Sequence, residues 1–269
     1  MNVLFLDGYN LIYRARHSMT RGYGGDHTTV YSFFRSLRPL IEKFSPDKAY
    51  FVLEGYPKRR MELAPDYKGT RTYHDDDGFR AQKKQIVEIM KDMFPIEVVR
   101  HRDYECDDVL ANLIRYEHAE DQCTVISSDT DFIQLYNELD NVAIYNPIRK
   151  SYVDQPDFDY VKWKALRGDS SDNIEGFRGI GKKRATAMVL DENKLNEFLS
   201  KDPSHPEMFK HNIEMIKFHD MQDTMEEIIR WGEAYAWDDV RKTFNDMKFF
   251  SITNDKSWDK FVNTFSCLG

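Results

Sequence analysis

The sequence predicts an α/β fold whose sheet is mainly parallel, with helices packed on both of its faces. Over the first 150 or so residues, short runs rich in Val, Ile, Phe and Tyr alternate with stretches of helical periodicity. An acidic residue directly follows several of these runs. From about residue 157 onward the pattern is helical, so we expect a core over residues 1–155 and a helical region over residues 156–269.

Five apolar runs predict strands at residues 2–6, 49–53, 96–99, 123–127 and 142–145. Helices are expected between them at residues 28–44, 79–94 and 104–118. Residues 55–78 interrupt this alternation with prolines, glycines and little periodicity, and a loop of this length in a compact domain is usually functional. Its basic residues are interleaved with tyrosines, a pattern that suits single-stranded nucleic acid, with a solvated loop as the alternative. The residues are Lys58, Arg59, Arg60, Lys68 and Arg71 with Tyr56, Tyr67 and Tyr73.

Composition places the chain among globular proteins of a reducing compartment. Hydrophobic residues make up 41% of the 269 positions, and no apolar run approaches the roughly 18 residues that span a bilayer. Cys106, Cys123 and Cys267 have no paired spacing, which argues against a disulfide scaffold or a zinc site. We therefore expect a cytoplasmic protein without a membrane segment.

Acidic residues follow the predicted strands at the points where the strands end. Asp7 and Glu54 come directly after the first two strands, and Asp129 and Asp131 follow the fourth. Ligands of open parallel sheets bind outside the carboxyl ends of the strands. These side chains are therefore predicted to converge on one crevice.

Two further acidic groups stand at the starts of helical turns. Glu105, Asp107 and Asp108 form one group, and Asp169 and Asp172 form the other. Each acid alone is compatible with a helix cap or a surface position, but together they form a repulsive cluster that requires a cation. A cluster without His or Cys favours Mg²⁺, with Mn²⁺ as a substitute. Two such ions about 4 Å apart catalyse phosphodiester hydrolysis.

Basic residues and glycines follow the last acidic group. Gly179 and Gly181 allow the backbone to approach a ligand closely, and Lys182, Lys183 and Arg184 open the next helix, whose N-terminus can bind a phosphate. A helix stop with a solvated basic turn is the alternative. The formal net charge of -8 would by itself disfavour nucleic acid, but without the nine acids named above it would be about +1.

These motifs, taken in order, resemble the 5′-nuclease (flap endonuclease) family, which includes the exonuclease domain of bacterial DNA polymerase I, and in particular its phage ribonuclease H type. Each motif is weak alone, whereas the ordered series is specific and covers about residues 1–190. The matching segments are residues 5–8, 67–71, 105–108, 127–131 and 168–173 and the glycine turn 176–185.

The resemblance implies a resolvase-like (PIN-like) core, a helical arch at about residues 55–80 and a helix–three-turn–helix region with a helix–hairpin–helix motif at about 168–190. It implies that one metal ion is held by Asp7, Glu54, Glu105, Asp107 and Asp108. The second would be held by Asp129, Asp131, Asp169 and Asp172, partly through water. Glu54 stands where the family usually has Asp, and Arg178 replaces a common proline.

The resemblance also implies residue roles around these metals. Lys68 and Arg71 would steady the scissile phosphate, with Asp107 and Asp131 as catalytic carboxylates, and Tyr67 would stack on a terminal base. Gly179, Gly181, Lys182, Lys183 and Arg184 would grip the duplex, with a monovalent cation bound at the Gly179–Gly181 turn in some family members.

The implied activity is that of a metal-dependent 5′-3′ exonuclease and 5′-flap endonuclease, acting on flaps, on nicked or gapped DNA and on RNA–DNA hybrids during replication. A sliding clamp or a single-strand-binding protein is a plausible partner from the family, and a monomer, phage-encoded, is expected. The alternatives are a catalytically silent binder of branched DNA, a PIN-type endoribonuclease and an aspartate-nucleophile phosphatase. The acid set argues against a silent binder, and the glycine turn argues against an endoribonuclease. The position of the D-x-D sequence argues against a phosphatase.

Overall fold

A seven-stranded sheet forms the centre of the computed structural model, which describes residues 1–18, 23, 25–71, 75–232 and 235–268. The strands are β1 (Asn2–Asp7), β2 (Lys48–Leu53), β3 (Glu97–Arg100), β4 (Gln122–Ile126), β5 (Val142–Asn146), β6 (Ser151–Tyr152) and β7 (Ile229–Trp231). Their spatial order is β6-β5-β4-β1-β2-β3-β7. The five inner strands are mutually parallel, and the two short edge strands pair antiparallel.

Helices cover both faces of this sheet and also form a separate layer. They are α1 (Gly8–Arg16), α2 (Thr28–Phe44), α3 (Lys58–Leu63), α4 (Asp77–Met93), α5 (Cys106–Tyr116), α6 (Tyr160–Arg167), α7 (Lys182–Val189), α8 (Glu192–Leu199), α9 (His205–Ile216), α10 (Trp237–Asp246), α11 (Phe250–Thr253) and α12 (Asp255–Thr264). Among the described residues, 3₁₀ helices lie between these elements at Asp131–Asn137 and Gln222–Glu227, and after α12 at Ser266–Leu268. No helix in the described part of the chain combines the length and the apolar character that a membrane span requires.

The inner strands are apolar on both sides because both faces of the sheet are covered. In β1, Val3 and Phe5 pack with α5, whereas Leu4 and Leu6 pack with α1, α2 and α4 on the opposite face. A third cluster lies among α6, α7, α8 and α9 and includes Tyr67. This third cluster is the core of the helical region, and through Tyr67 it reaches the carboxyl ends of the strands.

The predicted α/β fold class is confirmed, and all five predicted strands are present. The sequence pattern missed β6, β7 and α1, because edge strands of two or three residues carry too little periodicity and α1 begins directly at the end of β1. It also missed α3, which forms inside the segment expected to be a long loop. Tyr73, one of the tyrosines of that segment, lies outside the described residues.

The chain returns to the sheet after the helical region, so the predicted helical unit over residues 156–269 requires revision. Strand β7 pairs with β3. Helices α10 and α12 contribute Val240, Phe244 and Phe261 to the same core as α2 and α4. Aromatic residues stabilise this return, because Phe244 and Phe261 bury their large apolar area against each other and against Phe34 and Phe94 of the first half of the chain.

Candidate active site

A cleft of about 880 Å³ opens above the carboxyl ends of β1, β2 and β4. Seven of the nine predicted acids line it, as the convergence of parallel strand ends requires. They are Asp7, Glu54, Asp107, Asp129, Asp131, Asp169 and Asp172. Basic side chains line the same cleft, namely Lys68, Arg71, Arg80, Lys83, Lys164 and Arg167.

Asp7 lies at the floor of the cleft, where β1 becomes α1. Its carboxylate caps α1 by accepting from the Asn10 backbone N–H at 3.2 Å, and it accepts from Ser127 Oγ at 2.7 Å. Burial raises the pKa of Asp7 from its ordinary value of 3.8 to about 6, although the Ser127 hydrogen bond opposes this shift. The carboxylate is therefore held in a place where a cation would be needed to keep it ionised at low free-energy cost.

Glu54 extends from the end of β2 toward the start of α5. Its Oε2 accepts from the Cys106 backbone N–H at 3.0 Å, and its Oε1 lies 3.9 Å from Lys68 Nζ. Burial, followed by the nearby charge of Glu105, raises the pKa of Glu54 to about 7. The glutamate at this position thus reaches the same cluster as the other acids.

Glu105 and Asp108 are fully buried and do not line the cleft. Arg60 of α3 binds both: its Nη1 lies 2.7 Å from Glu105 Oε2 and 2.5 Å from Asp108 Oδ2, and its Nη2 lies 3.0 Å from Asp108 Oδ1. Both oxygens of Asp108 are thus occupied by a bidentate guanidinium, an arrangement that fixes geometry strongly. The sequence placed Arg60 among nucleic-acid contacts, whereas the structure buries it beneath the cleft.

Asp107 faces the cleft from the same turn of α5. Burial, followed by the charges of Asp108 and Glu105, raises the pKa of Asp107 well above its ordinary value. Carboxylate oxygens of Glu105, Asp107 and Asp108 lie within 4.8 Å of one another. This turn of α5 is therefore the most strongly charged part of the site.

Tyr67 joins the two acidic groups instead of standing free for a base. Its hydroxyl donates toward Glu105 Oε2 and Asp172 Oδ2, each at 3.1 Å. The ring is 6% exposed and packs in the core of the helical region. The sequence predicts that Tyr67 stacks on a terminal base, whereas in this structure the ring is buried among the apolar residues of the helical region.

Lys68 and Arg71 line the cleft, as predicted for residues that meet a phosphate. In the structure Lys68 pairs with Glu105, and Arg71 pairs with Asp172. The carboxylates of Glu105 and Asp107 raise the pKa of Lys68 against the opposing effect of burial. Both cations therefore stand beside the acids that the sequence assigned to metal binding.

Lys164 of α6 is a site residue that sequence reasoning missed. Its ammonium bridges Asp131 and Asp169, with 2.6 Å to Asp169 Oδ2. Burial raises the pKa of Asp131 to about 6 even though the Lys164 charge lowers it. The missed signal is the position of this lysine four residues after the buried Tyr160, on the apolar face of the helix.

Two glycines shape the loop that carries Asp169 and Asp172. A Cβ atom at Gly176 would lie 1.9 Å from the Arg167 carbonyl oxygen, and one at Gly168 would lie 2.2 Å from the Gly176 nitrogen. Gly168 also has a φ of +71°, which L side chains rarely adopt. The two backbones therefore touch, and this contact aims both aspartates into the cleft.

The glycine turn before α7 presents its basic residues to solvent, as expected for a backbone contact. Lys182, Lys183 and Arg184 are exposed, and a Cβ atom at Gly181 would have no neighbour within 4 Å. Gly179 has a φ of +77°. Its carbonyl accepts from Arg184 Nη1 at 3.1 Å, so one carbonyl of the turn at which a monovalent cation is expected has a cationic side chain as its partner.

Solved structures share this architecture from end to end. The T5 D15 protein, co-crystallised with metal ions, superposes with a TM-score of 0.65 and 20% identity, covering 98% of this chain and 99% of that one. Flap endonuclease-1 from Methanococcus jannaschii gives a TM-score of 0.57 with 15% identity, covering 99% and 91%. At these identities the likeness establishes the fold.

Sequence comparisons extend the likeness beyond the fold. The model of the 5′-3′ exonuclease N-terminal resolvase-like domain matches residues 2–164. A 5′-3′ exonuclease of Mycoplasmopsis pulmonis is 30% identical over 207 residues, covering 73% of this chain and 67% of that protein. DNA polymerase I of Chloroflexus aurantiacus is 28% identical over 228 residues, covering 77% of this chain but 24% of the polymerase, so the chain spans about a quarter of that relative. The chain belongs to the 5′-3′ exonuclease family.

Proposed function

We propose that this protein is a Mg²⁺-dependent 5′-nuclease that hydrolyses phosphodiester bonds at 5′ ends and 5′ flaps of DNA and of RNA–DNA hybrids. The observation that carries the proposal is the meeting of seven of the nine predicted carboxylates in one cleft together with basic side chains. Family membership gives the reaction class. Removal of RNA primers and flaps during replication is the role that such an activity serves.

The donor set fits hard divalent cations. All the groups are carboxylates, and oxygens of Asp131, Asp169 and Asp172 lie within 4.8 Å of one another, as do those of the α5 group. We propose two ions, Mg²⁺ with Mn²⁺ as a substitute, held by the carboxylates that face the cleft from its two sides. When bound, they would activate water and offset the charge that develops on the phosphate.

The buried acids have a positioning role in this scheme. Because Arg60 holds Glu105 and Asp108 beneath the cleft, these two carboxylates fix the turn that presents Asp107. Oxygen ligands for the metal ions would then come from two sides of the cleft. One side carries Asp7, Glu54 and Asp107, and the other carries Asp129, Asp131, Asp169 and Asp172. Lys164 holds Asp131 and Asp169 at one spacing.

Lys68 and Arg71 are the residues proposed to orient the phosphate. Lys68 pairs with the buried Glu105, and Arg71 pairs with Asp172 of the cleft. A substrate phosphate would therefore compete with a carboxylate for each of these cations. Lys182, Lys183 and Arg184 would hold the duplex backbone without reading its sequence. The T5 D15 flap endonuclease has been crystallised with DNA and metal ions.

Cleavage of a 5′-labelled flap duplex in Mg²⁺, and of the matching RNA–DNA hybrid, tests the proposal. We expect products near the junction in Mg²⁺ and none in EDTA, and the product lengths separate exonuclease from flap cleavage. Asp107→Asn and Asp131→Asn should each lower kcat by at least about 100-fold, since each removes a charge from one acidic group. Asp92→Asn, which changes an exposed acid of α4, is the control.

Full turnover by Asp107→Asn at saturating Mg²⁺ would overturn the two-ion assignment. Tight binding of the flap without cleavage in either buffer would instead identify a silent binder of branched DNA.

A further inference from the structure

A second groove lies between α2, α11 and α12, on the face of the sheet opposite α5. It measures about 510 Å³ and is lined by side chains of α2 between residues 31 and 39, of α11 at residues 251 and 252, and of α12 between residues 256 and 261. We call it the α2–α12 groove. Among the described residues, none lines both this groove and the catalytic cleft, so the groove is a surface that the proposed reaction does not use.

Four cations line the α2–α12 groove from its two long helices. Arg35 and Arg38 are three residues apart and share a face of α2, and Lys256 and Lys260 are four residues apart and share a face of α12. No acid is found among the described residues that line the groove. Because the chain as a whole carries a formal net charge of -8, this surface is a local reversal of sign.

The nearest carboxylate neutralises only part of this positive charge. Glu42 lies 2.8 Å from Arg38 Nη1 and 4.0 Å from Lys260 Nζ, so two of the four cations share it. Within the described ranges, Lys256 makes no ion pair. A surface with an excess of one charge attracts a partner of the opposite charge.

The groove combines these cations with apolar side chains. Ile252 and Phe261 are buried at its base, and Pro39 is exposed in its wall. Phe250, which directly precedes the lining residue Ser251, is 62% exposed. An apolar surface rimmed by polar groups is typical of a site that binds another protein.

The aromatic rings that line the groove are not available to stack on bases. Tyr31 stacks on Tyr23 with 4.9 Å between ring centroids, and Phe261 stacks on Trp258 at 5.7 Å. Tyr31 and Phe261 are each only 2% exposed. Binding of single-stranded nucleic acid uses accessible rings together with cations, whereas acidic side chains require only the cations. The lining therefore favours a peptide over a nucleic acid.

We propose that the α2–α12 groove docks an acidic peptide segment of a partner protein. Carboxylates of the segment pair with Arg35 on one side and with Lys256 and Lys260 on the other, and an apolar side chain of the segment packs against Ile252. Because the groove and the cleft are separate, a docked partner leaves the cleft open to substrate. This inference goes beyond the proposed nuclease function and does not depend on it.

Fluorescence anisotropy in EDTA tests the groove with a labelled peptide of the sequence Glu-Asp-Glu-Leu-Asp-Phe-Glu-Asp. The comparison probes are the same peptide with Gln and Asn in place of its acids, and a labelled single-stranded oligodeoxynucleotide. We expect saturable binding of the acidic peptide and none of the neutral one. Lys256→Gln/Lys260→Gln should bind the acidic peptide about tenfold more weakly, because two charge pairs are lost.

Lys84→Gln/Lys210→Gln removes the same charge from exposed positions of α4 and α9 and is the matched control, which should bind the acidic peptide like the wild type. Arg35→Gln tests the α2 side independently and should also weaken peptide binding. Equal binding of the neutral peptide, an equal loss in the control, or no loss in the groove variants would overturn the proposal.

A loss of oligonucleotide binding in the groove variants, with peptide binding unchanged, would also overturn the proposal and would identify a nucleic-acid surface instead. Flap cleavage by the wild type in Mg²⁺ is scored in parallel, so failure of the nuclease function is seen separately from failure of the groove.

Discussion

Arg60 connects the catalytic end of the sheet with the helical region. Besides Glu105 and Asp108, it donates to the backbone carbonyls of Met215 at 3.0 Å and Lys217 at 3.1 Å. Its partners therefore come from α5 and from the end of α9. A buried cation with this many acceptors specifies one arrangement of three segments.

Arg60→Ala should destabilise the protein by about 3–5 kcal/mol, because it leaves the buried Asp108 without its cation and removes one of the two cations that pair with Glu105. The matched control is Arg59→Ala, since Arg59 is exposed and its ion pair with Glu214, at 3.4 Å, lies at the surface. Urea unfolding followed by circular dichroism measures both changes. Equal stability of the two variants would contradict the buried network.

The acids of the cleft make the metal-free protein sensitive to pH. The pKa values of Asp7 and Asp131 are each raised by burial from 3.8 to about 6. The folded state holds these protons more tightly than the unfolded chain, so their stabilising contribution is full below about pH 4 and is lost as the pH rises through about 6.

In EDTA, the melting temperature should therefore fall between pH 5 and pH 7.5, and it should fall less in Asp7→Asn, which has no proton to lose. Scanning calorimetry at the two pH values measures the difference. An identical pH dependence in the variant and the wild type would refute the burial of Asp7 as its cause.

The acids could be predicted at the residue scale, but their internal partners could not. Asp7, Glu54, Asp129 and Asp131 follow from strand ends that meet at one sheet edge. Arg60 pairs with Asp108 across more than 40 residues of sequence. Lys164 pairs with Asp131 from a different helix, α6. Such pairs depend on tertiary packing, which no local pattern encodes.

At the scale of elements, the loop between α6 and the glycine turn depends on two backbones in contact. Gly176→Ala should lower both stability and nuclease activity, because a Cβ atom there would meet the Arg167 carbonyl at 1.9 Å. Gly181→Ala is the control for stability alone, since its Cβ atom would enter open space, whereas its effect on cleavage would report on the glycine turn that is proposed to contact the duplex. Thermal melts and flap cleavage measure both variants. Unchanged melting of Gly176→Ala would show that this loop tolerates displacement.

The elements that were predicted correctly are those with long periodic patterns, such as α2 over Thr28–Phe44. Strand β7 escaped prediction because its three residues gain their apolar partners only by pairing with β3. Helix α3 escaped because its six residues show almost no amphipathic period, and Arg60 is the residue that it buries. Short elements thus owe their existence to the fold around them.

At the scale of the whole molecule, the C-terminal helices complete the main core. Phe244 of α10 is fully buried and packs on Phe34 of α2, with 5.0 Å between ring centroids. Phe244→Ala should cost about 3–5 kcal/mol of unfolding free energy. Phe250→Ala, at a position that is 62% exposed, should change it little. Denaturant unfolding of the two variants compares them, and equal midpoints would contradict the shared core.

The helical region is attached to the sheet at opposite edges. It follows β6 at one edge, and the chain returns through β7 at the other, a width of roughly 29 Å for six strand spacings. The helical region is therefore anchored at two edges of the sheet rather than at a single hinge. A force on the helical region would be transmitted to both edges of the sheet, and rotation about either attachment would be resisted by the other. We therefore expect the helical region to keep its orientation relative to the sheet.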